Sequence, residues 1–204
     1  MAFKSDVKSV FKTAGVAADP NGISATAAVG NNAALVIGGA LASGGAVALN
    51  AGQLVTILSA GDDSGKSFTI VGTDITGAAL TESLTGADDA TATSANFFKS
   101  IASITAVGNP AGNVTAGVSA SCADIIFGGR ARLKGSYIVS SATAGTIKFR
   151  DASITGEILV EFGTVASATA TRDITMPDEG VLFTGGIFIT YTGATFASMT
   201  TFHA

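Results

Sequence analysis

Apolar and polar residues alternate along this chain in short runs, the period of a strand with one face buried. Ala79-Leu80-Thr81-Glu82-Ser83-Leu84 keeps that period of two. Leu54-Val55-Thr56-Ile57-Leu58 and Ile187-Phe188-Ile189-Thr190-Tyr191 are β-branched and apolar, and Gly, Asp, Asn and Ser punctuate the gaps between such runs. Residues 53–85 read as successive hairpins: 54–58 out, a turn at 60–65, 67–71 back, a turn at 73–77, then 79–84. Beyond residue 123 the strands become clearer, with candidates at 133–140, 146–150, 157–162, 171–176, 181–183, 187–191 and 199–202. Seven short strands at near-regular spacing suggest a β-sandwich or jelly roll, with Ile147, Phe149, Leu159 and Ile187 in its core. The one stretch with helical spacing is near the start. There Val7, Val10 and Phe11 stand at i, i+3 and i+4 with Lys8 and Lys12 off that face, which predicts a short amphipathic helix or an extended arm. The fold class expected is therefore all-β, with short-strand hairpins in the N-terminal half and a sandwich-like C-terminal part.

Composition sharpens this picture. The 204 residues include 26 Gly and no Trp, and only 13% are charged. No charged side chain occurs from residue 20 to residue 61. Mean hydropathy is +0.50, high for a chain that must face water on all sides. Obligate interfaces resemble a domain core cut in half, so surface buried between subunits is the first expectation. Side chains as small as those of residues 20–50 specify strand register poorly, and order is expected there only if the segment packs on something else. Three regions are expected: an arm and Gly/Ala-rich segment over 1–50, hairpins over 51–121, and a sandwich or jelly roll over 122–204.

Charge and cysteine content exclude several classes. The formal charge is −4, from 11 Lys and Arg against 15 Asp and Glu, without a basic cluster. Nucleic-acid binding draws mainly on phosphate neutralisation, so a nucleic-acid partner is not expected. A single cysteine, Cys122, allows no disulfide within the chain and reads as a small buried hydrophobe. The first residues lack the apolar stretch of a signal peptide, which suggests a protein that stays in the cytosol where it is made. Residues 33–49 are the one membrane candidate. They are glycine-broken and short of the ~20 apolar residues that a spanning helix needs, so two Gly-linked strands are expected and no membrane partner.

Candidate chemistry is sparse. Ala60-Gly61-Asp62-Asp63-Ser64-Gly65-Lys66-Ser67 resembles a relaxed phosphate-binding loop, but such a loop must open a helix that receives the phosphate. Here a β-branched run follows, and two carboxylates would repel the ligand; a turn is the better reading. His203 is the sole histidine and stands next to last, a poor base for a triad. Glu157 and Glu161, four apart on one strand, would lie roughly 13 Å apart, too far for glycoside hydrolysis. Asp62-Asp63 and Asp88-Asp89 could offer oxygens to Ca²⁺, though neither sits in a recognisable loop for it. No enzyme, cofactor or metal site is expected.

Two stretches resemble virion structural proteins of tailed bacteriophages. One is Val55-Thr56-Ile57, Gly61-Asp62-Asp63-Ser64-Gly65, Phe68-Thr69-Ile70, Gly72-Thr73-Asp74 and Leu80-Thr81-Glu82, continued by Phe97-Phe98-Lys99-Ser100-Ile101 and Ala111-Gly112-Asn113-Val114. The other is Gly145-Thr146-Ile147, Met176-Pro177-Asp178-Glu179-Gly180-Val181-Leu182-Phe183 and Gly186-Ile187-Phe188-Ile189. The resemblance implies a structural component of the phage particle, assembled in the host cytoplasm, with no catalytic residue to carry over. A capsid decoration (cement) protein, homotrimeric and bound to the major capsid protein, is its leading form. The alternatives are a tail or head–tail ring subunit and, in a different class, a carbohydrate-binding or adhesin module. Phe3, Val7, Val10 and Phe11 are the candidate assembly contacts, on an arm that would dock on a neighbouring subunit.

Overall fold

The computed structural model describes residues 6–204, and all regular structure among them is β-strand. The chain divides into two compact units. Unit 1 comprises Met1–Gly15 and Ala123–Ala204, and unit 2 comprises Val16–Cys122. Unit 2 is thus inserted in sequence between the first strand of unit 1 and the rest of it.

Unit 2 is built on three long strands, β4 (Ala46–Ser59), β7 (Thr91–Val107) and β8 (Asn113–Phe127), the last of which runs on past Cys122 so that its final residues belong to unit 1. The sheet order is β8-β4-β7-β5-β6, where β5 is Ser67–Thr73 and β6 is Ala79–Thr85; β2 (Asp19–Ala28) pairs with β8 and β3 (Ala42–Ser43) with β4. The 73–77 hairpin is present, with β5 and β6 in register from Ser67↔Thr85 to Thr73↔Ala79. The 60–65 hairpin is not, because β7 lies between β4 and β5. Alternation shows which face of a strand is buried but not which strand lies beside it, so the long β4–β7 ladder, Val47↔Ile101 to Leu58↔Thr91, left no local trace.

The core of unit 2 gathers Ile23, Leu35, Val47, Val55, Ile57, Phe68, Ile70, Phe98, Ile101 and Ile104, all buried. The small-residue segment 16–50 is part of this core. Ile23 and Leu35 are buried in it, and Val16, Val29, Ile37 and Leu41 pack against it. Leu35 N–H donates to Ile104 O at 2.8 Å, and Ala106 N–H to Ala33 O at 2.9 Å, extending the sheet by a single bridge. Small residues permit this close packing: a Cβ on Gly117 of β8 would lie 2.1 Å from the Asp19 carbonyl oxygen of β2. Gln53, fully buried, binds Val16 from both sides. Its Oε1 accepts Val16 N–H at 3.1 Å, and its Nε2 donates to Val16 O at 3.0 Å and to Ser119 O at 2.8 Å.

Unit 1 is sandwich-like. One sheet has the order β1-β15-β9-β12, from Lys8–Thr13, Phe196–His203, Ala131–Ser140 and Thr171–Thr175, with β13 (Val181–Phe183) also on β9. The other contains β11 (Ile158–Thr164), β10 (Gly145–Asp151) and β14 (Ile187–Thr192), followed by β8. Seven strands stand close to the positions read from the sequence. Ile147, Phe149 and Ile187 are fully buried. Leu159 is only half-buried. It sits on β11, an edge strand whose register slips at a bulge opposite Phe149 and Arg150, and a bulge alters which side chains face the core.

Residues 8–13 correct the helix alternative. They form β1, antiparallel to β15 from Lys8↔His203 to Thr13↔Ser198. A helix of so few residues must meet its nucleation cost alone, whereas the free edge of β15 supplies a full ladder.

Candidate functional site

Three rows of directly opposed residues cross the outer face of the β1-β15-β9-β12 sheet. They run Phe11–Thr200–Tyr137–Asp173, Ser9–Phe202–Gly135–Thr175 and Thr13–Ser198–Val139–Thr171. Phe11 is 64% exposed and Tyr137 40%, while Phe202 and Val139 are half-buried. The remaining side chains on these rows are Ser or Thr, with Asp173 the single charge. Two strand spacings place Phe11 and Tyr137 roughly 10 Å apart. The result is a sheet face carrying three aromatic rings among small hydroxyl side chains, with an edge strand, β1, at one side. Scattered single apolar residues on a surface are ordinary, so it is the grouping of three aromatics on one face that sets this surface apart.

The rows alternate with inward-facing ones. Val10↔Thr201 and Lys12↔Met199 turn toward the unit's interior, where Thr201 and Met199 are fully buried. Lys12 Nζ reaches Asp124 Oδ2 at 3.0 Å, and Asp124 is 1% exposed. Gly15 N–H donates to the Tyr191 hydroxyl at 3.1 Å and Ala194 N–H to Gly15 O at 2.8 Å, fastening the end of the segment. His203, opposite Lys8, lies 4.9 Å from Phe127 between ring centroids. Burial, then the Lys8 ammonium, hold its imidazole below the ordinary value of 6.5.

Of the four assembly contacts read from the sequence, Phe3 lies outside the described residues. Val7 and Phe11 are exposed, and Val10 is half-buried on the opposite face. The helical spacing thus placed Val10 with the other two, while a strand separates them by its alternation. Tyr137 and Phe202 join Phe11 only through β15 and β9, residues far away in sequence. No local signal marks them, because the buried positions beside them, Ser136 and Thr201, are polar and neither run alternates.

The other sequence candidates are dispersed. Residues 60–67 form a turn followed by β5, with Asp62 Oδ1 accepting from Ser64 N–H at 3.0 Å and Ser64 Oγ–H at 2.6 Å; those bonds, the hydroxyl's first, hold its carboxyl below 3.8. Asp62 pairs with Asp88 in an isolated antiparallel bridge, so the two acidic pairs do meet. Asp63 nevertheless turns inward: it is fully buried, and its Oδ1 accepts Ala111 N–H at 2.7 Å. Among the described residues no group of three or more His, Cys, Asp or Glu is placed to hold a metal ion. Glu157 precedes β11 and Glu161 stands opposite Lys148, both exposed. Cys122 is buried. Among the described residues no helix is long and apolar enough to cross a membrane.

Comparison with protein-family models gives no match, and comparison with curated proteins gives none.

Proposed function

We propose that this chain is a structural subunit of a bacteriophage particle, a capsid decoration protein that assembles through the outer face of the β1-β15-β9-β12 sheet and clamps the shell. The observation that carries this reading is the aromatic face itself. Phe11, Tyr137 and Phe202 lie exposed or half-buried together on one sheet face, a surface that favours burial against a protein partner. The resemblance of the 55–114 and 145–189 stretches to phage virion proteins supplies the class. The mechanism is linkage: a protein that binds only the assembled shell stabilises it by mass action.

Light scattering of the purified protein at micromolar and nanomolar concentration, followed by co-sedimentation with shells of its parent particle, tests this. A trimer that co-sediments and raises the shell's melting temperature is the expected result. Replacing Phe11 and Tyr137 together by Ser should abolish assembly or co-sedimentation while leaving the subunit's own melting transition nearly unchanged, since both side chains are exposed. A folded monomer that ignores the shell overturns the reading. A hexamer or larger ring would move the subunit to the tail or head–tail connector.

A further inference from the structure

Asn21-Gly22 is the single Asn-Gly dipeptide of the chain. It lies in the irregular part of β2, where pairing with β8 jumps from Asp19↔Val118 to Ser24↔Ala116. Asn21 is exposed, and Gly22 presents no side chain to hinder its own amide nitrogen from approaching the Asn21 carboxamide. The Asp19 carboxylate folds back over this link. Its Oδ1 accepts Asn21 N–H at 3.4 Å, and its Oδ2 lies 2.6 Å from the place a Gly22 Cβ would occupy.

We propose that Asn21 is a self-modifying site, converted to isoaspartate and aspartate with Asp19 as the general base. The Gly22 amide nitrogen bonds to Asn21 Cγ as Asp19 takes its proton. The Cγ–Nδ2 bond breaks and ammonia departs with that proton, leaving a cyclic imide. Water then opens the imide at either carbonyl, so the net change is amide plus water to carboxylate plus ammonium, with no redox step.

Opening at the backbone carbonyl inserts a methylene into the main chain, and the surroundings leave no room for one. Gly39 packs so closely that a Cβ on it would lie 2.4 Å from Asn21 O and from Gly22 O. Gly22 O accepts Leu41 N–H at 2.8 Å, and Ile23 O accepts Gly38 N–H at 3.1 Å and Gly39 N–H at 2.9 Å. Isoaspartate at position 21 therefore displaces the carbonyls that hold residues 38–41, and slow chemistry at one exposed residue becomes loosening of a packed segment.

Mildly alkaline incubation of the intact protein, then peptide mapping that separates aspartate from isoaspartate, tests the site. Asn21 should gain the amide-to-acid mass ahead of every other asparagine, and residues 38–41 should lose hydrogen-exchange protection in step with isoaspartate. Asp19→Asn should slow the reaction at least about tenfold in the folded protein and leave its rate unchanged in urea. Asn21→Asp, which adds the charge without the methylene, should keep the protection. An intact Asn21, or an equal rate in folded Asp19→Asn, overturns the proposal.

Discussion

Gln53 shows how one polar side chain can hold a chain crossing in place. Its amide mimics a strand neighbour, accepting from and donating to the main chain of Val16 while also reaching Ser119 O. All of this happens at zero exposure, where an unpaired polar group costs far more than a paired one gains. Replacement by Leu keeps the volume but strands one N–H and two carbonyls. Gln53→Leu should therefore destabilise the protein by about 2–3 kcal/mol, read as a lower urea midpoint at unchanged m-value. A loss below about 0.5 kcal/mol would mean that water replaces the amide at this point.

At the scale of elements, edges are managed by carboxylates and by a terminal strand. β5 pairs with β7 only over Ser100–Val107, so the earlier part of β7 lacks that neighbour. Glu82 of β6 stands in for it. Its Oε1 accepts Ala95 N–H at 2.7 Å, and its Oε2 accepts Asn96 N–H at 3.0 Å and Asn96 Nδ2–H at 2.9 Å. In unit 1, β1 covers β15 and brings Lys12 to the buried Asp124. Breaking a buried pair by removing one partner leaves a charge in a poor solvent. Lys12→Met should cost about 3 kcal/mol, and adding Asp124→Leu should recover most of it; a double-mutant cycle by urea unfolding measures the coupling. Additive losses would show that the ion pair is not what fastens β1. These edges mark the limit of what the sequence could reveal. The strands at 171–175, 181–183 and 187–192 were legible because turn residues bracket each of them. The insertion of β7 between β4 and β5 was not, since pairing is set by contacts far apart in sequence. Nor was the aromatic face: Phe11 was visible as an exposed apolar residue, but its grouping with Tyr137 and Phe202 exists only once β15 joins β1 to β9.

For the whole molecule, acid should act in two separate stages. His203 sits 3% exposed against Phe127 and opposite Lys8, so folding favours its uncharged form. Its folded pKa lies below 6.5, so the unfolded chain binds the proton first. Stability from this group is complete above 6.5 and is lost as pH falls through the folded value. Three carboxylates act lower down, each held below 3.8. Asp62 is held by Ser64. Asp74 is pushed up by burial but brought down further by the Thr76 hydroxyl and by the N–H groups of Thr76, Ala78 and Gly77. Asp151 is held by the Thr184 hydroxyl at 2.6 Å, then by Gly185 N–H at 2.9 Å. Their contribution is present above 3.8 and disappears as pH drops through the folded values. These carboxylates clasp turns of both units, whereas His203 belongs to the sheet of unit 1 that carries the aromatic face. Mild acid should therefore loosen unit 1 first. Urea midpoints followed from about pH 8 to pH 3 should fall in two steps, and His203→Gln should remove the upper step while sparing the lower. Because β15 lies between β1 and β9, the upper step should also loosen the strands that hold Phe11 and Tyr137 on one face. If the chain assembles through this face as proposed, assembly measured by light scattering across the same pH range should weaken below 6.5 in the native protein and persist to lower pH in His203→Gln. Assembly that weakens only below 3.8 in both proteins would separate the face from the histidine behind it.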